Sequence, residues 1–259
     1  MFELKVIENL RLWQFAKLSE IKNVIHFVSD RKSFDEADFN LSYSTSPDPV
    51  LVKENRTLVA KSMGVTFDTL YIPKQVHQDR ILKVDDKTTT EDLEATDALI
   101  TNSTNVCIAV MSADCVPILL YDRKNHAAGA VHSGWKGTVA HILTKTLQAM
   151  QQEFGTQGTD VVAAIGPSVC QASYEVGHEV VEAVRKSFNQ SETLLQLQEN
   201  GKAKLDLWQA NYLQLTAFGV KPENITIAST CTVIHNQHFF SARKGDSGRF
   251  AAGIRLLPH

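Results

Sequence analysis

The sequence lacks several features that would assign it to a broad functional class. It has no tract rich in Lys or Arg and its formal net charge is −3, so its charge does not favour binding to nucleic acid or to an anionic membrane. Its first residues have no basic region followed by a long apolar run, so we expect no secretory signal. The most apolar stretch, residues 106–121, is interrupted by Asp114 and Pro117, so we expect no membrane span.

Cysteine is also scarce, with four in the chain. Because no secretory signal is expected, we interpret them as reduced thiols that pack or bind a metal, and not as a disulfide framework. These observations together predict a cytoplasmic protein. The cysteines are Cys107, Cys115, Cys170 and Cys231.

The composition is typical of one globular domain. The 259 residues are 43% hydrophobic and 21% charged, and no internal repeat or low-complexity block divides them. We therefore predict a single domain over residues 1–259. The acidic, threonine-rich segment 85–97 is expected to be a solvated loop within it.

Strand patterns outnumber helix patterns about two to one. Because they cluster in the middle of the chain instead of alternating with helices, they favour an α/β (α+β) fold with mixed strand directions and sheets covered by helices. Runs rich in Val, Ile and aromatic residues predict strands at 24–29, 69–77, 98–102, 106–111, 116–122, 127–132, 161–166, 225–229 and 250–256. Periodicity and terminal glycines predict helices at 51–63, 137–154, 174–188 and 206–218, the last opened by Asp206 as its N-cap.

Three reactive residues, His77, Cys115 and His132, lie where predicted strands end or are interrupted. Imidazole nitrogen and thiolate sulfur are ligand types that zinc prefers, and three protein ligands leave the fourth tetrahedral position for water. Water bound there can have its pKa lowered to ~7 and become a nucleophile. Their spacing matches no general zinc motif, so separate structural roles, or a thiolate–imidazolium pair of Cys115 and His132, remain alternatives.

A second group of possible metal ligands lies in the segment CTVIHNQH. Its Cys231, His235 and His238 are closely spaced, but the flanking residues predict strand and turn. Alternation along a strand would place Cys231 and His238 on opposite faces, so we predict no metal site in this segment.

Two segments offer groups that bind anions. In SGWKGT, Gly134 and Gly137 are expected to permit a tight turn, and the helix that follows offers its N-terminus together with Lys136. In SARKGDSGR, Arg243 and Arg249 carry guanidinium groups whose geometry suits phosphate or carboxylate.

Several short motifs, taken together, resemble the YfiH-like, laccase-domain-containing proteins, which are also called polyphenol oxidoreductases and are regarded as purine nucleoside phosphorylases. The N-terminal segment keeps the family pattern poorly, with Arg31 and Asn40 as the corresponding residues. The matching motifs, in the family's order, are KQVH (74–77), TDALIT (96–101), ADCVPILLYD (113–122), AVHSGWKGT (130–138), IGPSVC with YEV (165–176), LDLWQAN (205–211), CT (231–232) and FFSARKGDSGR (239–249).

The resemblance implies a YfiH-like α/β fold in which two mixed β-sheets pack between helical layers. It places His77, Cys115 and His132 at the family's zinc-ligand positions. It also implies that the partners are small molecules, namely purine nucleosides and phosphate. The implied activity is phosphorolysis of adenosine, inosine and S-methyl-5'-thioadenosine to base and ribose 1-phosphate, with accompanying adenosine deamination.

A mechanism follows from this resemblance as a hypothesis. Zinc held by the three ligands activates water for attack on adenine C6 during deamination. In phosphorolysis, phosphate held near Lys136, Arg243 and Arg249 attacks the anomeric carbon of ribose as the purine leaves. Asp114, next to the ligand Cys115, orients a ligand or acts as an acid–base partner.

Three other functions remain open at the level of sequence. The family's older name indicates a copper polyphenol oxidase, although the chain has no His-X-His pair of the kind that multicopper sites use. A cysteine hydrolase could use Cys115 and His132 on cell-wall amides. A non-enzymatic module would bind a metal only to support its fold. A zinc deaminase of the cytidine type is disfavoured, because its HxE and PCxxC motifs are missing.

Overall fold

Two six-stranded β-sheets packed face to face form the centre of the computed structural model, which describes residues 1–33, 36–199 and 201–258. Apolar side chains of both sheets fill the space between them, including Val110 and Ile254 from one and Leu119 and Val162 from the other. Helices cover the outer faces, so the layers run helix, sheet, sheet, helix. The prediction of mixed sheets between helical layers is confirmed.

The first sheet has antiparallel neighbours except at one edge, where its last two strands are parallel. In spatial order its strands are β1 (Phe2–Ile7), β2 (Leu10–Phe15), β3 (Val24–Ser29), β15 (Phe250–Leu256), β7 (Cys107–Ser112) and β4 (Leu70–Tyr71).

The second sheet is antiparallel at its centre and has one parallel pair at each edge. Its central hairpin pairs Pro117 with His132, which brings the start of one strand beside the end of the other. In spatial order its strands are β14 (Ile225–Ile227), β10 (Val161–Ile165), β8 (Val116–Asp122), β9 (Ala127–Ser133), β6 (Ala98–Thr101) and β5 (Ile81–Lys83).

A small antiparallel sheet and six helices complete the described fold. The small sheet has the order β11 (Glu175–Val176), β13 (Ala203–Leu205) and β12 (Leu195–Leu197). The helices are α1 (Ala16–Ser19), α2 (Pro49–Ser62), α3 (Trp135–Val139), α4 (Ile142–Phe154), α5 (His178–Ser187) and α6 (Leu207–Ala217). Helix α2 covers the first sheet, while α4, α5 and α6 cover the second.

Most predicted strands and helices are present, and the exceptions have local causes. The strand predicted at 69–77 ends at Tyr71, and His77 has a left-handed backbone with φ of 60°. The helix predicted at 137–154 is divided in two, because His141 is left-handed with φ of 58°. Asp206 caps α6 as predicted, accepting the N–H of Gln209 at 2.9 Å.

Most of the missed strands are short or mostly exposed, whereas β2 is six residues long and at least partly buried throughout. Strand β1 exposes most of its residues, so its sequence carries no core pattern. The helix predicted at 174–188 begins only at His178, because Glu175 and Val176 form β11. No helix in the described parts of the chain combines the length and apolar character needed to cross a bilayer.

Candidate metal centre

The three predicted ligands lie together in the folded chain. One ligand atom from each of His77, Cys115 and His132 lies within 4.8 Å of the others, and this is the one such group among the described residues. The two imidazole rings meet edge to face with centroids 4.8 Å apart. His77 comes from the loop after β4, Cys115 from the turn before β8 and His132 from the end of β9.

A buried carboxylate organises two of these residues. Asp97 is fully buried, and its Oδ1 lies 2.8 Å from Nδ1 of His132, which therefore donates to it. The same carboxylate accepts the backbone N–H groups of Val76, His77 and Gln78 at 3.2, 3.0 and 2.9 Å. These contacts hold the strained left-handed turn at His77 and leave Nε2 of His132 free to face the centre.

The charge on Asp97 is retained in spite of its burial. Burial alone would raise the pKa of this carboxyl, but the hydrogen bond from His132 and the backbone N–H groups of Gln78 and Val76 lower it below its ordinary value. An ionised carboxylate on Nδ1 makes the imidazole a better ligand through its other nitrogen.

Gly134 makes room for the centre and does not serve as a hinge. Its backbone is extended, with φ of −76°, a conformation open to any residue, and Gly137 also lacks a positive φ. The turn from β9 into α3 therefore does not depend on a backbone conformation that only glycine favours. A Cβ at Gly134 would lie 2.8 Å from Sγ of Cys115 and 3.4 Å from Cδ2 of His77.

Cys115 and His132 stabilise each other's charged forms. Burial opposes ionisation of the thiol, but the charges and hydrogen bonds of His132 and His77 lower the pKa of Cys115 to about 6. Burial likewise disfavours the imidazolium, but the Cys115 thiolate and Asp97 raise the pKa of His132 to about 9. The thiolate is the form that binds a metal or acts as a nucleophile.

The centre opens on one side. His132 is buried, Cys115 is partly buried and His77 is exposed, so a substrate has access from the side of His77. A contact in the protein interior helps to fix the position of His132. The next residue, Ser133, donates its hydroxyl to Oδ1 of Asn211 on α6 at 2.9 Å.

Asp114 lies next to Cys115 but turns its carboxylate toward another loop. Its Oδ1 accepts the hydroxyl of Thr232 at 2.6 Å, and its Oδ2 accepts the backbone N–H of Arg243 at 2.8 Å. Asp114 also has a left-handed backbone, with φ of 92°. With both oxygens bonded to the protein, this geometry favours positioning of the loop over proton transfer.

The predicted cations contact different parts of the fold. Lys136 is exposed, two residues beyond Gly134, with Nζ 5.7 Å from the ring centroid of Trp135. Trp135 is partly buried against the core beneath α4 and α6. Helix α3, which starts at Trp135, is a short helix of five residues.

Arg243 packs against Tyr174, and its backbone N–H donates to Asp114, the residue before Cys115. Its guanidinium lies 4.7 Å from the ring centroid of Tyr174 and donates to the carbonyl of Glu175 at 2.8 Å. Burial raises the pKa of the Tyr174 phenol, and the charge of Cys115 raises it further, while the charge of Arg243 opposes this rise.

The N-terminal segment contacts the loop that carries the second predicted arginine. The backbone N–H of Arg249 donates to Oδ1 of Asn40 at 2.9 Å, while its guanidinium donates to the carbonyls of Ser247 and Gly248. Arg31 forms an ion pair with Asp246 at 3.0 Å. Arg31 and Asn40 therefore support this loop although the surrounding sequence departs from the family pattern.

The segment with Cys231, His235 and His238 directs its side chains to separate partners. Sγ of Cys231 accepts the backbone N–H of Cys170 at 3.2 Å, and His238 pairs with Asp30 at 3.0 Å. The segment consists mostly of turns and not of the predicted strand, so the argument from strand alternation does not apply.

Asp97 is the functional residue that the sequence analysis missed. It belongs to the segment 85–97, which was expected to be a solvated loop, yet its side chain is fully buried. The available signal was its position: an acid directly before the apolar strand β6, in a chain with His77 and His132 at other strand ends.

The chain is similar in sequence to proteins of one family. The sequence model of a family described as multi-copper polyphenol oxidoreductase laccase matches residues 27–257. A Bacteroides thetaiotaomicron protein named purine nucleoside phosphorylase is 39% identical and covers 98% of this chain and 99% of its own length. A protein named adenosine deaminase RL5, from an unknown prokaryotic organism, is 37% identical over 93% of this chain and 96% of its own length.

The fold is similar to solved structures over nearly the whole chain. The hypothetical protein YfiH from Bacillus licheniformis superposes with a TM-score of 0.88 at 24% identity and covers 98% of both chains. YlmD from Geobacillus stearothermophilus superposes with a TM-score of 0.86 at 25% identity and covers 99% of both chains.

Proposed function

We propose that this chain, which belongs to the family described as multi-copper polyphenol oxidoreductase laccase, is a purine nucleoside phosphorylase that also deaminates adenosine. Its substrates would be adenosine, inosine and S-methyl-5'-thioadenosine together with phosphate. The observation that carries the proposal is the convergence of two imidazoles and a thiol in a chain 39% identical to a protein named purine nucleoside phosphorylase.

The donor set at the centre fits zinc. Two imidazole nitrogens and one thiolate are ligand types that zinc prefers, and the lowered pKa of Cys115 favours the binding form of its sulfur. His77, Cys115 and His132 would hold the ion, and Asp97 fixes the ring of His132 for this role. When bound, zinc would supply a Lewis acid that polarises the substrate or activates water.

We assign the phosphate site to three cationic side chains of the chain. In phosphorolysis a phosphate oxygen bonds to the anomeric carbon of ribose while the bond from that carbon to the purine nitrogen breaks. The purine leaves with the bonding electrons and takes up a proton. Lys136, Arg243 and Arg249 are the cations that we assign to phosphate, where fixed positive charge offsets the charge of the nucleophile.

Asp114 is assigned a positioning role in this reaction. Through Thr232 and the N–H of Arg243 it connects the residue before a metal ligand to the loop that carries a phosphate-binding cation. The metal ligand Cys115 and the arginine therefore keep a fixed relation to each other. Such orientation of the reacting groups is a large part of catalysis.

Adenosine deamination is a second activity of the same centre. The similarity to a protein named adenosine deaminase RL5, at 37% identity over 93% of this chain, favours it. Water would attack C6 of adenine and ammonia would leave, a reaction that needs no phosphate. The two activities are therefore separable by phosphate alone.

The test is product analysis with purified, zinc-loaded protein. We expect inosine to give hypoxanthine and ribose 1-phosphate only when phosphate is present, and adenosine to give inosine with or without it. Release of hypoxanthine with free ribose, independent of phosphate, would contradict phosphorolysis. Formation of neither product would contradict the proposal as a whole.

Two rival chemistries give different results in parallel assays. A copper polyphenol oxidase would need copper and oxygen and would consume phenols, whereas we expect zinc to support activity. A hydrolase using the Cys115–His132 pair would need no metal, so chelation would leave it active and thiol alkylation would stop it. We also propose that the protein is cytoplasmic, because its cysteines are free.

A further inference from the structure

A pair of cysteines outside the metal centre lies in contact. The backbone N–H of Cys170 donates to Sγ of Cys231 at 3.2 Å. Both sulfurs also lie near one hydroxyl, Oγ of Ser173, at 3.5 Å from Cys170 and 3.8 Å from Cys231. The two thiols therefore share a single small site, although 61 residues of chain separate them.

Backbone contacts hold the two cysteine segments side by side. Ser168 and Cys231 form a parallel bridge, and the N–H of Thr232 donates to the carbonyl of Ser168 at 3.1 Å. Cys170 precedes the 3₁₀ turn Gln171–Ser173, so it follows this bridge by two residues. A bond between the sulfurs would thus join segments that are already paired and would require little backbone movement.

The two thiols differ in exposure. Cys231 is 3% exposed, whereas Cys170 is partly exposed and meets a dissolved oxidant first. Burial raises the pKa of the Cys231 thiol, but hydrogen bonds from Cys170 and from the N–H of Ile234 lower it below its ordinary value overall. The sulfur of Cys231 is thus more readily ionised to the nucleophilic thiolate than an ordinary cysteine.

We propose that Cys170 and Cys231 form a reversible disulfide on exposure to peroxide. This site is independent of the proposed phosphorolysis. Peroxide transfers one oxygen to Cys170, forming its sulfenic acid and releasing water. Cys231 loses its proton to solvent, and its thiolate then attacks that sulfur, so the S–S bond forms as the S–O bond breaks; the hydroxide that leaves takes up a proton from solvent and becomes water. Two thiols are oxidised while one peroxide is reduced, and a dithiol reductant reverses the change.

The disulfide site adjoins the loop that reaches the metal centre. Thr232 follows Cys231 directly, and its hydroxyl donates to Oδ1 of Asp114 at 2.6 Å. Asp114 in turn precedes Cys115. The pair is therefore connected to Asp114, the residue before Cys115, through Thr232 and one hydrogen bond.

The test counts thiols and maps peptides. Zinc-loaded protein is treated with hydrogen peroxide, denatured, alkylated and digested without reductant. The chain has four cysteines, all free, and we expect the alkylated count to fall from four to two, with one cross-linked peptide pair joining Cys170 to Cys231. Dithiothreitol should restore four. A count that stays at four, or Cys170 oxidised to sulfinic acid with Cys231 still alkylated, would overturn the proposal.

Matched variants separate the pair from general oxidation. Cys107→Ala removes a buried cysteine elsewhere in the chain. The number of alkylated thiols in this variant should therefore fall from three to one after peroxide, with the same cross-linked peptide pair. Cys170→Ser should keep all three of its remaining thiols after peroxide. In Cys231→Ser the resolving sulfur is absent, so dimedone should label Cys170 as a trapped sulfenic acid. Loss of thiols in Cys170→Ser, or no dimedone adduct in Cys231→Ser, would contradict the assignment.

Discussion

Oδ1 of Asp97 lies 2.8 Å from Nδ1 of His132, and the same carboxylate accepts the N–H of His77 at 3.0 Å. One buried acid thus sets the ring of one candidate ligand and the backbone of another. The remaining ligand, Cys115, is placed by the β8–β9 hairpin, whose register pairs Pro117 with His132. The centre is therefore built from one end of the central β8–β9 hairpin, the loop after β4 and one buried carboxylate.

Replacing Asp97 tests this arrangement. Asp97→Asn keeps the size of the side chain but removes its charge and puts an amide donor among N–H groups that need an acceptor. We expect zinc affinity to fall about 10- to 100-fold, the usual effect of losing a carboxylate that orients a histidine ligand. Competition with a chromogenic chelator measures this affinity.

Glu91→Gln is the control for this substitution, since Glu91 is an exposed acid of the same segment. It should bind zinc like the wild type. An unchanged zinc affinity in Asp97→Asn, with the fold intact by circular dichroism, would mean that this carboxylate does not organise the centre.

Gly134→Ala tests the space beside the sulfur. The added Cβ would lie 2.8 Å from Sγ of Cys115, closer than real contacts allow, so the sulfur must shift. Since the backbone at Gly134 is extended, the fold should persist while zinc affinity and activity fall. In Gly137→Ala the nearest atoms are Cγ2 of Ile142, at 3.2 Å, and two backbone oxygens, so zinc binding should change little. Equal zinc affinities in the two variants would contradict this explanation.

Removing the Arg243 guanidinium tests the phosphate assignment. Its backbone N–H to Asp114 remains in Arg243→Ala, so the loop should keep its place. Loss of a charge-assisted hydrogen bond of ~1.5–3 kcal/mol should raise KM for phosphate about 10-fold or more. Arg185→Ala, which removes a surface partner of Glu182, should leave KM unchanged. A phosphate KM equal to wild type in Arg243→Ala would remove this residue from the phosphate site.

His26 should make stability depend on pH. It is 1% exposed, and its Nε2 accepts the N–H of Phe15 at 2.7 Å. Burial, aided by the charge of Lys5, lowers the pKa of His26 from 6.5 to about 3. As the pH falls from about 6.5 to about 3, the unfolded chain takes up a proton that the folded chain does not, so folding stability is lost. At pH 5 this loss should be ~2 kcal/mol.

Urea unfolding at pH 7 and pH 5 measures this effect. His26→Gln keeps an acceptor for Phe15 without a titrating group, so its stability should fall by about 2 kcal/mol less than that of the wild type over this range. His178→Gln changes an exposed histidine and should behave as the wild type. Parallel pH profiles of all three proteins would mean that His26 titrates normally.

The sequence predicted the elements whose apolar pattern matches their burial. Strands such as Val116–Asp122 are buried at every residue, so a continuous apolar run identifies them. The turn at His77 could not be predicted, because the N–H groups there bond to Asp97, 20 residues away, instead of to a neighbouring strand. The left-handed backbone of His141 could not be predicted either, because the residues around it follow a helical pattern.

The sequence predicted the three ligands of the candidate site but not the residues that support them. His77, Cys115 and His132 could be identified, because reactive side chains at apolar strand ends are conspicuous and the family resemblance connected them. Their ligand atoms lie within 4.8 Å of one another because of how the strands pair, and the spacing of the residues along the chain does not predict that pairing. Asp97 and Gly134 act through burial and excluded volume, and such roles appear only in three dimensions.

The most direct test of the central claim is a paired measurement on Cys115→Ala, with Cys107→Ala as the matched control for loss of a cysteine. Zinc content is measured by elemental analysis, and ribose 1-phosphate formation from inosine and phosphate is measured on the same samples. The account predicts that Cys115→Ala loses its bound zinc and that its rate of phosphorolysis falls more than about 100-fold. This loss exceeds the 10- to 100-fold effect that is usual for a residue that only supports a metal ligand. Cys107→Ala should keep both its zinc and its activity. A Cys115→Ala protein that retained zinc and full phosphorolysis would contradict it.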